Sequence, residues 1–413
     1  MGYDANEDTY ATSCDEFSDS ESELSSVEML FKGYEPNLVV LDGSDHALFE
    51  QIDQLIDCLR AAKLIQQVRV STAFLQGLDV SVGGGDGDED EDKPNKDKPN
   101  EDEDNTMTDK KCVEADALFD AIAGLAPICE TFICHLHRHL PRVTLQRESG
   151  GLLKCVSTLS KLTLNNFLLT DALVAALAVN PELTELRAYV DSKKEPRGLD
   201  PLFTALAKSP RLQVLDVYAK EDERPEKPRR ITANALTDLC HNPALRDLKL
   251  WHLDTDLTIA VAKALSTCAT DNPSRSTKLE KLSLNKCFVK TEGYSSFGNM
   301  LKVNTTLTKL HISDIVTADA CVALASGLAE NSTLQELELT YEGDAPKVGK
   351  AMVAMLEKNT TIQQLKLYMS YSFENDMSFL AEKGVEYEED QAQENWETRL
   401  DELLQRNRDK KQR

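Results

Sequence analysis

Leucine recurs along this chain in one short pattern, Leu-x-x-Leu-x-Leu, with polar residues at most of the intervening positions. Counting copies in which Ile, Val or Ala replaces a leucine, the pattern starts eight times, at intervals of 24 to 34 residues. Leu-x-Leu has the period of two that is expected of a β-strand with one buried face. The copies begin at Leu159, Leu183, Leu212, Leu245, Leu279, Leu307, Leu334 and Ile362.

The segments between these strands have apolar residues at helical spacing, as in Ala320-Leu324-Leu328 and Met352-Met355-Leu356. Each unit therefore has one apolar strand face and one apolar helix stripe, and it can bury neither of them alone. Stacking of neighbouring units buries both. We expect an α/β solenoid, a horseshoe with one parallel sheet on its concave surface and helices on its convex side.

This pattern resembles the leucine-rich repeat family, and within it the ribonuclease-inhibitor-like subtype, on the strength of the LxxLxL strands and the near-28-residue repeats. The predicted array spans residues 113–370, with a weak copy at Leu140-Val143-Leu145. Residues 36–83 form one or more irregular N-terminal repeats, in which Leu38–Leu41 and Ile65-Val68-Val70 are the strand candidates.

An asparagine precedes the first apolar position of several repeats by three residues. Asn180, Asn242, Asn304, Asn331 and Asn359 share this place, where a helix should end and the chain turn towards the next strand. Asparagine tolerates the left-handed backbone that often ends helices, so we expect that conformation here.

Charge is concentrated outside the array. The chain has 71 acidic and 46 basic residues, a net charge of −25, and residues 1–30 and 84–104 together supply −17. We therefore predict an acidic disordered N-terminal tail over 1–35 and an acidic disordered insertion over 84–112. A net charge this negative argues against binding to nucleic acid or to anionic membranes.

The C-terminal part, residues 371–413, is predicted to contain an amphipathic helix and a basic end. Trp396, Leu400, Leu403 and Leu404 form its apolar stripe. The helix would cap the last repeat, dock on a partner or pair as a short coiled coil. No secretory or membrane-spanning pattern occurs, so we expect a location in the cytoplasm, with the nucleus as the alternative. We also expect the protein to be a monomer.

No motif of a known catalytic or phosphate-binding kind occurs, so we predict a protein that is not an enzyme and has no cofactor. The densest group of metal-ligand residue types is Cys129, Cys134, His135, His137 and His139. Their spacing does not bring three or four ligands together, and a helix-to-strand junction explains the segment better than a metal site.

The register of the repeats also identifies the residues that face away from the core. Tyr189, Tyr218 and Trp251 occupy the sixth position after the first leucine on three consecutive strands. The second and fourth positions are mixed in charge, with six basic and five acidic residues. The predicted protein-binding residues on this face are Tyr189, Tyr218, Trp251, Arg187, Lys249, Lys281, Lys309 and His311.

These observations favour a non-catalytic interaction scaffold that binds a protein partner on its concave face. Aromatic side chains and arginine are frequent anchors of such interfaces. The alternative is a regulator that activates a GTPase, because Ran GTPase-activating proteins resemble this family and combine such repeats with an acidic run. Here the acidic runs precede and interrupt the repeats.

Overall fold

Over the residues that the structure describes, the fold is one eleven-stranded parallel sheet in which the strands lie side by side in chain order. The computed structural model describes residues 25–34, 36–41, 51–71, 117–125, 131–135, 150–165, 170–191, 199–220, 231–266, 277–287, 289–370 and 391–412. Helices alternate with the strands along the chain. The α/β leucine-rich repeat solenoid predicted from the leucine spacing is therefore confirmed.

The bounds of the strands follow the leucine pattern closely. The strands are β1 Leu38–Leu41, β2 Gln67–Ser71, β3 Thr131–His135, β4 Lys161–Asn165, β5 Glu185–Asp191, β6 Val214–Lys220, β7 Asp247–Trp251, β8 Lys281–Asn285, β9 Lys309–Thr317, β10 Glu336–Glu342 and β11 Gln364–Met369.

The first helix, α1, precedes the first strand, α11 follows the last strand, and the other helices lie between strands. They are α1 Ser26–Phe31, α2 Ile52–Ala61, α3 Gly150–Thr158, α4 Asp171–Val179, α5 Asp200–Leu206, α6 Ala233–Cys240, α7 Thr255–Ser266, α8 Thr291–Val303, α9 Ala318–Leu328, α10 Ala345–Lys358 and α11 Gln391–Gln412. A further helical segment covers 117–124. Threonine side chains cap several helices; that of Thr317 accepts a hydrogen bond from Ala320 N at the start of α9.

The core lies between the sheet and the helices. Corresponding leucines of neighbouring repeats are paired in register, as Leu282 is with Leu248 and Leu310. These three side chains are at most 2% exposed. The alternate residues of each strand lie on the other face of the sheet, which is why the second, fourth and sixth positions form columns across it.

The third strand differs from the expectation. The weak leucine copy at 140–145 lies outside the described residues, and the place between β2 and β4 is taken by Thr131–His135. Phe132 is in register with Val68 and Leu162. In the sequence, Cys129, Phe132 and Cys134 thus occupy the three leucine positions of the pattern. Cys134 and His135, two of the residues considered above as metal ligands, belong to this strand.

The predicted disordered tail over 1–35 is wrong at its end, because Ser26–Phe31 forms α1. Ser25 and Glu28 form a reciprocal capping box, with hydrogen bonds of 2.8 and 3.1 Å. Val27 and Leu30 are buried, and Ser26 Oγ accepts a hydrogen bond from Val40 N of the first strand at 2.9 Å. Residues 1–24 and the predicted insertion 84–112 lie outside the described residues.

Asparagine side chains connect the ends of five helices, α4, α6, α8, α9 and α10, to the preceding repeat. Asn331 Nδ2 donates to the carbonyls of Leu301 and Asn304, at 2.6 and 3.2 Å, while its Oδ1 accepts from Leu334 N at 2.7 Å. The five predicted asparagines are all buried and donate in the same way. We call this series the asparagine ladder.

The ladder corrects the reason we expected for asparagine at these sites. The φ angles of Asn180, Asn304 and Asn359 are −71°, −74° and −79°, so their backbone is not left-handed. The last carbonyls of a helix lack partners within the helix. The side-chain amide of each asparagine donates to the helix-end carbonyls of the preceding repeat. This hydrogen bonding, and not a preference for left-handed backbone, explains why asparagine stands at these sites.

The C-terminal helix α11 caps the array, which decides between the alternatives left open by the sequence. Leu400, Leu403 and Leu404 are buried, and Trp396 packs on α10 at Gly349, where a Cβ atom would overlap the indole ring. A solenoid needs such a terminal element because its last repeat would otherwise expose its apolar face.

Two polar side chains of α11 also end the asparagine ladder. Arg406 donates to the carbonyls of Leu356 and Asn359, at 2.6 and 3.2 Å, which are the groups that the next asparagine would bind. Asn407, 1% exposed, donates to the carbonyls of Asn359 and Ile362. The cap therefore continues both the apolar and the polar contacts of the repeats.

Candidate functional site

The candidate site lies on the face of the sheet that the helices do not cover. Parallel pairing in register brings corresponding positions of successive strands about 4.8 Å apart. Tyr189 is thus in register with Tyr218, as Lys281 is with Lys309. The eight predicted site residues all lie on this face, on strands β5 to β9.

Two of the predicted aromatic residues form one cluster with a histidine that we did not predict. The rings of Tyr218 and Trp251 lie edge to face with their centroids 5.1 Å apart. His252 lies against Tyr218 at 5.6 Å, in a left-handed backbone conformation with φ of 55° that ends β7. We call these three residues the aromatic cluster. Edge-to-face packing is favourable for such rings.

Asp216 holds the indole of this cluster in place. Its Oδ1 accepts a hydrogen bond from Trp251 Nε1 at 3.1 Å, and its Oδ2 lies 3.7 Å from Lys249 Nζ. Asp216 is only 5% exposed although it faces away from the core. We did not assign Asp216 to the site, but its place in the column, beside lysine and one strand from tryptophan, was a usable signal.

Four of the predicted basic residues meet in a different part of the face. Lys249, Lys281, Lys309 and His311 line an open depression of about 240 Å³ across β7 to β11. We call it the lysine depression. Its remaining charged lining residues are Asp247, Glu336, Glu338 and Lys366. The lining is thus close to neutral, in a chain whose net charge is −25.

Each basic residue of the depression has an acidic neighbour on an adjacent strand. Lys309 Nζ lies 2.7 Å from a carboxylate oxygen of Glu336, and His311 Nε2 lies 3.6 Å from one of Glu338. Lys281 Nζ lies 3.8 Å from Asp247, which is longer than a hydrogen bond. Ion pairs as exposed as these contribute little to stability, so their main effect is to orient the side chains.

Burial and neighbouring charges shift the pKa of two groups in the depression. Burial lowers the pKa of His311; Lys249 and Lys366 act in the same direction, while Glu338 opposes them. Burial raises the pKa of Asp247 against the opposing influence of Lys281 and Lys249. Both shifts favour the neutral forms, which indicates a partly desolvated floor.

The remaining two predicted residues lie apart from both groups. Arg187 forms an ion pair with Glu185 of its own strand, at 2.8 Å, and does not line the depression. Tyr189 is placed beside Tyr218 by strand register alone, because its side chain lies outside the described part of the chain. The single predicted surface therefore consists of an aromatic cluster on β6 and β7 and a depression that extends to β11.

In the part of the chain that the structure describes, no group of three or more His, Cys, Asp or Glu side chains is arranged to hold a metal ion. Among the same residues, every helix is too short or too polar to cross a bilayer.

The fold and the face together define the class: the chain is a leucine-rich repeat solenoid with an aromatic and charged concave surface. Its sequence matches no protein-family model and no curated protein. It is similar to a solved structure described as "Leiomodin-1 Actin-Binding Site 2 (ABS2)", with 17% identity over 44% of this chain and 89% of that one, at a TM-score of 0.32.

The chain is also similar to a solved structure of the C-terminal domain of a Caenorhabditis elegans tropomodulin. It shares 15% identity over 44% of this chain and 93% of that chain, at a TM-score of 0.30. Scores this low carry no conclusion about function, which therefore depends on the chain's own residues.

Proposed function

We propose that the chain is a non-catalytic scaffold that binds a protein partner on its concave face. The aromatic cluster is the observation that carries this proposal. Trp251 and Tyr218 are partly exposed on a face whose other columns are mostly charged or polar. Large rings of this kind supply most of the binding energy at many protein interfaces.

The hydrogen bond from Trp251 to Asp216 supports the same conclusion. An indole that is already fixed by its neighbours loses little conformational entropy when a partner covers it. A ring kept only for packing has no need of a nearly buried carboxylate on the solvent side of the sheet. The negative net charge favours a protein over nucleic acid or an anionic membrane as the partner.

Affinity capture with matched variants tests this function. Wild-type protein, Tyr218→Ala/Trp251→Ala and Tyr34→Ala serve as baits in the same cell lysate. Tyr34 is a suitable control because it is 59% exposed in the segment that follows α1. We expect at least one partner to be retained by wild type and Tyr34→Ala and lost by the double variant.

The captured partner is then purified and its affinity measured by calorimetry, with circular dichroism to confirm that each bait is folded. Loss of one hot-spot aromatic residue should weaken binding by about 2 kcal/mol, or roughly thirtyfold. Identical partner sets for all three baits would refute the proposed function. A GTPase among the lost partners, with hydrolysis stimulated by the bait, would instead support the alternative predicted from the sequence.

We further propose that the array belongs to the ribonuclease-inhibitor-like subtype, which the 27- and 28-residue repeats and their helices support. The monomeric state and the cytoplasmic location likewise stay predictions.

A further inference from the structure

Within the lysine depression one small neutral residue, Ser283, has basic residues on three sides. Ser283 is in register with Lys249 on one side and with His311 on the other. Lys281 precedes it by two residues on the same strand and therefore lies on the same face. The described part of the chain offers no hydrogen-bond partner to the Ser283 hydroxyl.

Two lysines lie directly opposite each other beside this serine. Lys281 and Lys309 are register partners on neighbouring strands, so their backbones are about 4.8 Å apart. Like charges in this arrangement destabilise a sheet. Their carboxylate neighbours, Asp247 and Glu336, lie on the outer sides of the pair, on β7 and β10. No acidic residue of the depression lies between the two lysines.

We propose that the lysine depression binds a carboxylate side chain of the partner, above Ser283 and between Lys281 and Lys309. This inference rests on the proposed function. A carboxylate placed there would separate two like charges and accept hydrogen bonds from both ammonium groups and from the serine hydroxyl. Charge-assisted hydrogen bonds of this kind are the stronger class.

The position of the aromatic cluster defines the partner further. Trp251 follows Lys249 by two residues, about 6.6 Å along β7, and Ser283 is on the next strand. By strand register the backbones of Trp251 and Ser283 are about 8 Å apart, which corresponds to about two residues of an extended chain. The partner that fits is an extended protein segment with an apolar side chain two residues from an aspartate or glutamate.

The electrostatic part of the inference can be tested without any partner. Ser283→Asp places a carboxylate in the depression, and Ser283→Asn is the neutral control of similar shape. We expect the aspartate variant to melt about 2 °C higher than the asparagine variant at low salt, and the difference to shrink in 0.5 M NaCl. An aspartate variant that melts at or below the asparagine variant would contradict a cationic site.

The partner chemistry is tested with a library of random dodecapeptides displayed on phage. The full chain is used as wild type, Lys281→Gln/Lys309→Gln, Tyr218→Ala/Trp251→Ala and Lys347→Gln. Lys347 is the matched control because it forms an exposed ion pair with Asp319 on the helical side. We expect wild type and control to select peptides in which an acidic residue lies near an apolar one.

Selection with the other variants separates the two proposals. The lysine variant should lose the acidic preference but keep the apolar one, and replacing the acid of a selected peptide by its amide should weaken wild-type binding about tenfold. Peptides selected through the aromatic cluster without acidic preference would overturn only the carboxylate site. Selection of no peptide by wild type would overturn both proposals.

Discussion

The two sides of the solenoid repeat to very different degrees. On the helical side the leucines are in register and an asparagine binds the preceding turn at five of the helix ends, whereas Ser209 stands in that place after α5. On the concave side, corresponding positions change from tyrosine to tryptophan, asparagine and serine across four strands. Repetition therefore marks the residues that stabilise the stack, and departure from it marks the residues available for recognition.

The largest effect that would sharpen this comparison is expected at the asparagine ladder. Asn331→Ala removes the side-chain partner of the Leu301 carbonyl and of the Leu334 amide, and leaves the Asn304 carbonyl with only Thr333 Oγ1. We expect a loss of about 2 kcal/mol in the free energy of unfolding, measured by urea denaturation. Binding through the concave face should be unchanged while the protein is folded.

The matched control for that change is Asn299→Ala, since Asn299 is exposed in α8. It should alter stability by less than about 0.5 kcal/mol. If the two alanine variants were equally stable, the asparagine ladder would not contribute to the stability of the stacked repeats, and repetition on the helical side would not mark stabilising residues.

A smaller effect is expected where the ladder ends. Gly349→Val fills the space occupied by the indole of Trp396, so α11 should separate from α10. In a Trp251→Phe background Trp396 is the only tryptophan of the chain, and its emission should shift to longer wavelength as it becomes exposed.

Exposure of the last repeat should also lower the free energy of unfolding by about 1–2 kcal/mol. The control is Gly343→Ala, a change at a glycine with φ of 92° outside the cap contact. That variant should be strained but should leave Trp396 emission unchanged. Emission of Gly349→Val identical to its parent would show that α11 does not depend on this contact.

The smallest effect belongs to the concave side and concerns pH. Because the pKa of His311 is lowered in the folded protein, the unfolded chain binds a proton more readily as the pH falls below about 6.5. The folded state therefore loses stability over that range, down to the folded pKa.

Thermal melting of wild type and His311→Gln at pH 7.5 and 5.5 measures this contribution by difference. Wild type should lose more stability than the variant, by no more than about 2 °C. Glu338, Lys249 and Lys366 face the imidazole, so the measurement is made at constant ionic strength. A greater loss in the variant would mean that the pKa of His311 is raised in the folded state.

Two errors in the sequence-based prediction come from judging a segment by a single property, either the presence of leucine or the overall acidity. The strand Thr131–His135 was missed because phenylalanine and cysteine stand where leucine was required, although they are equally able to face a core. The helix Ser26–Phe31 was missed because the surrounding acidic composition outweighed a local capping box and two apolar residues.

Other features depend on contacts that no local pattern specifies. The asparagines were recognised as helix ends, but the carbonyls that they bind are 21 to 39 residues away in the chain. Asp216 was placed in its column, yet its hydrogen bond to Trp251 depends on how two neighbouring strands orient their side chains.

The sequence by itself determined the repeat, the parallel sheet and the identity of the outward columns. It could do so because a period of two within strands and a near-constant spacing between them are local properties of the chain. Only the tertiary structure decided that α11 caps the array, and that Tyr218 and Trp251 form one group while Lys249, Lys281, Lys309 and His311 form another. Those outcomes depend on distances between side chains of different repeats, which are set by packing rather than by spacing along the chain.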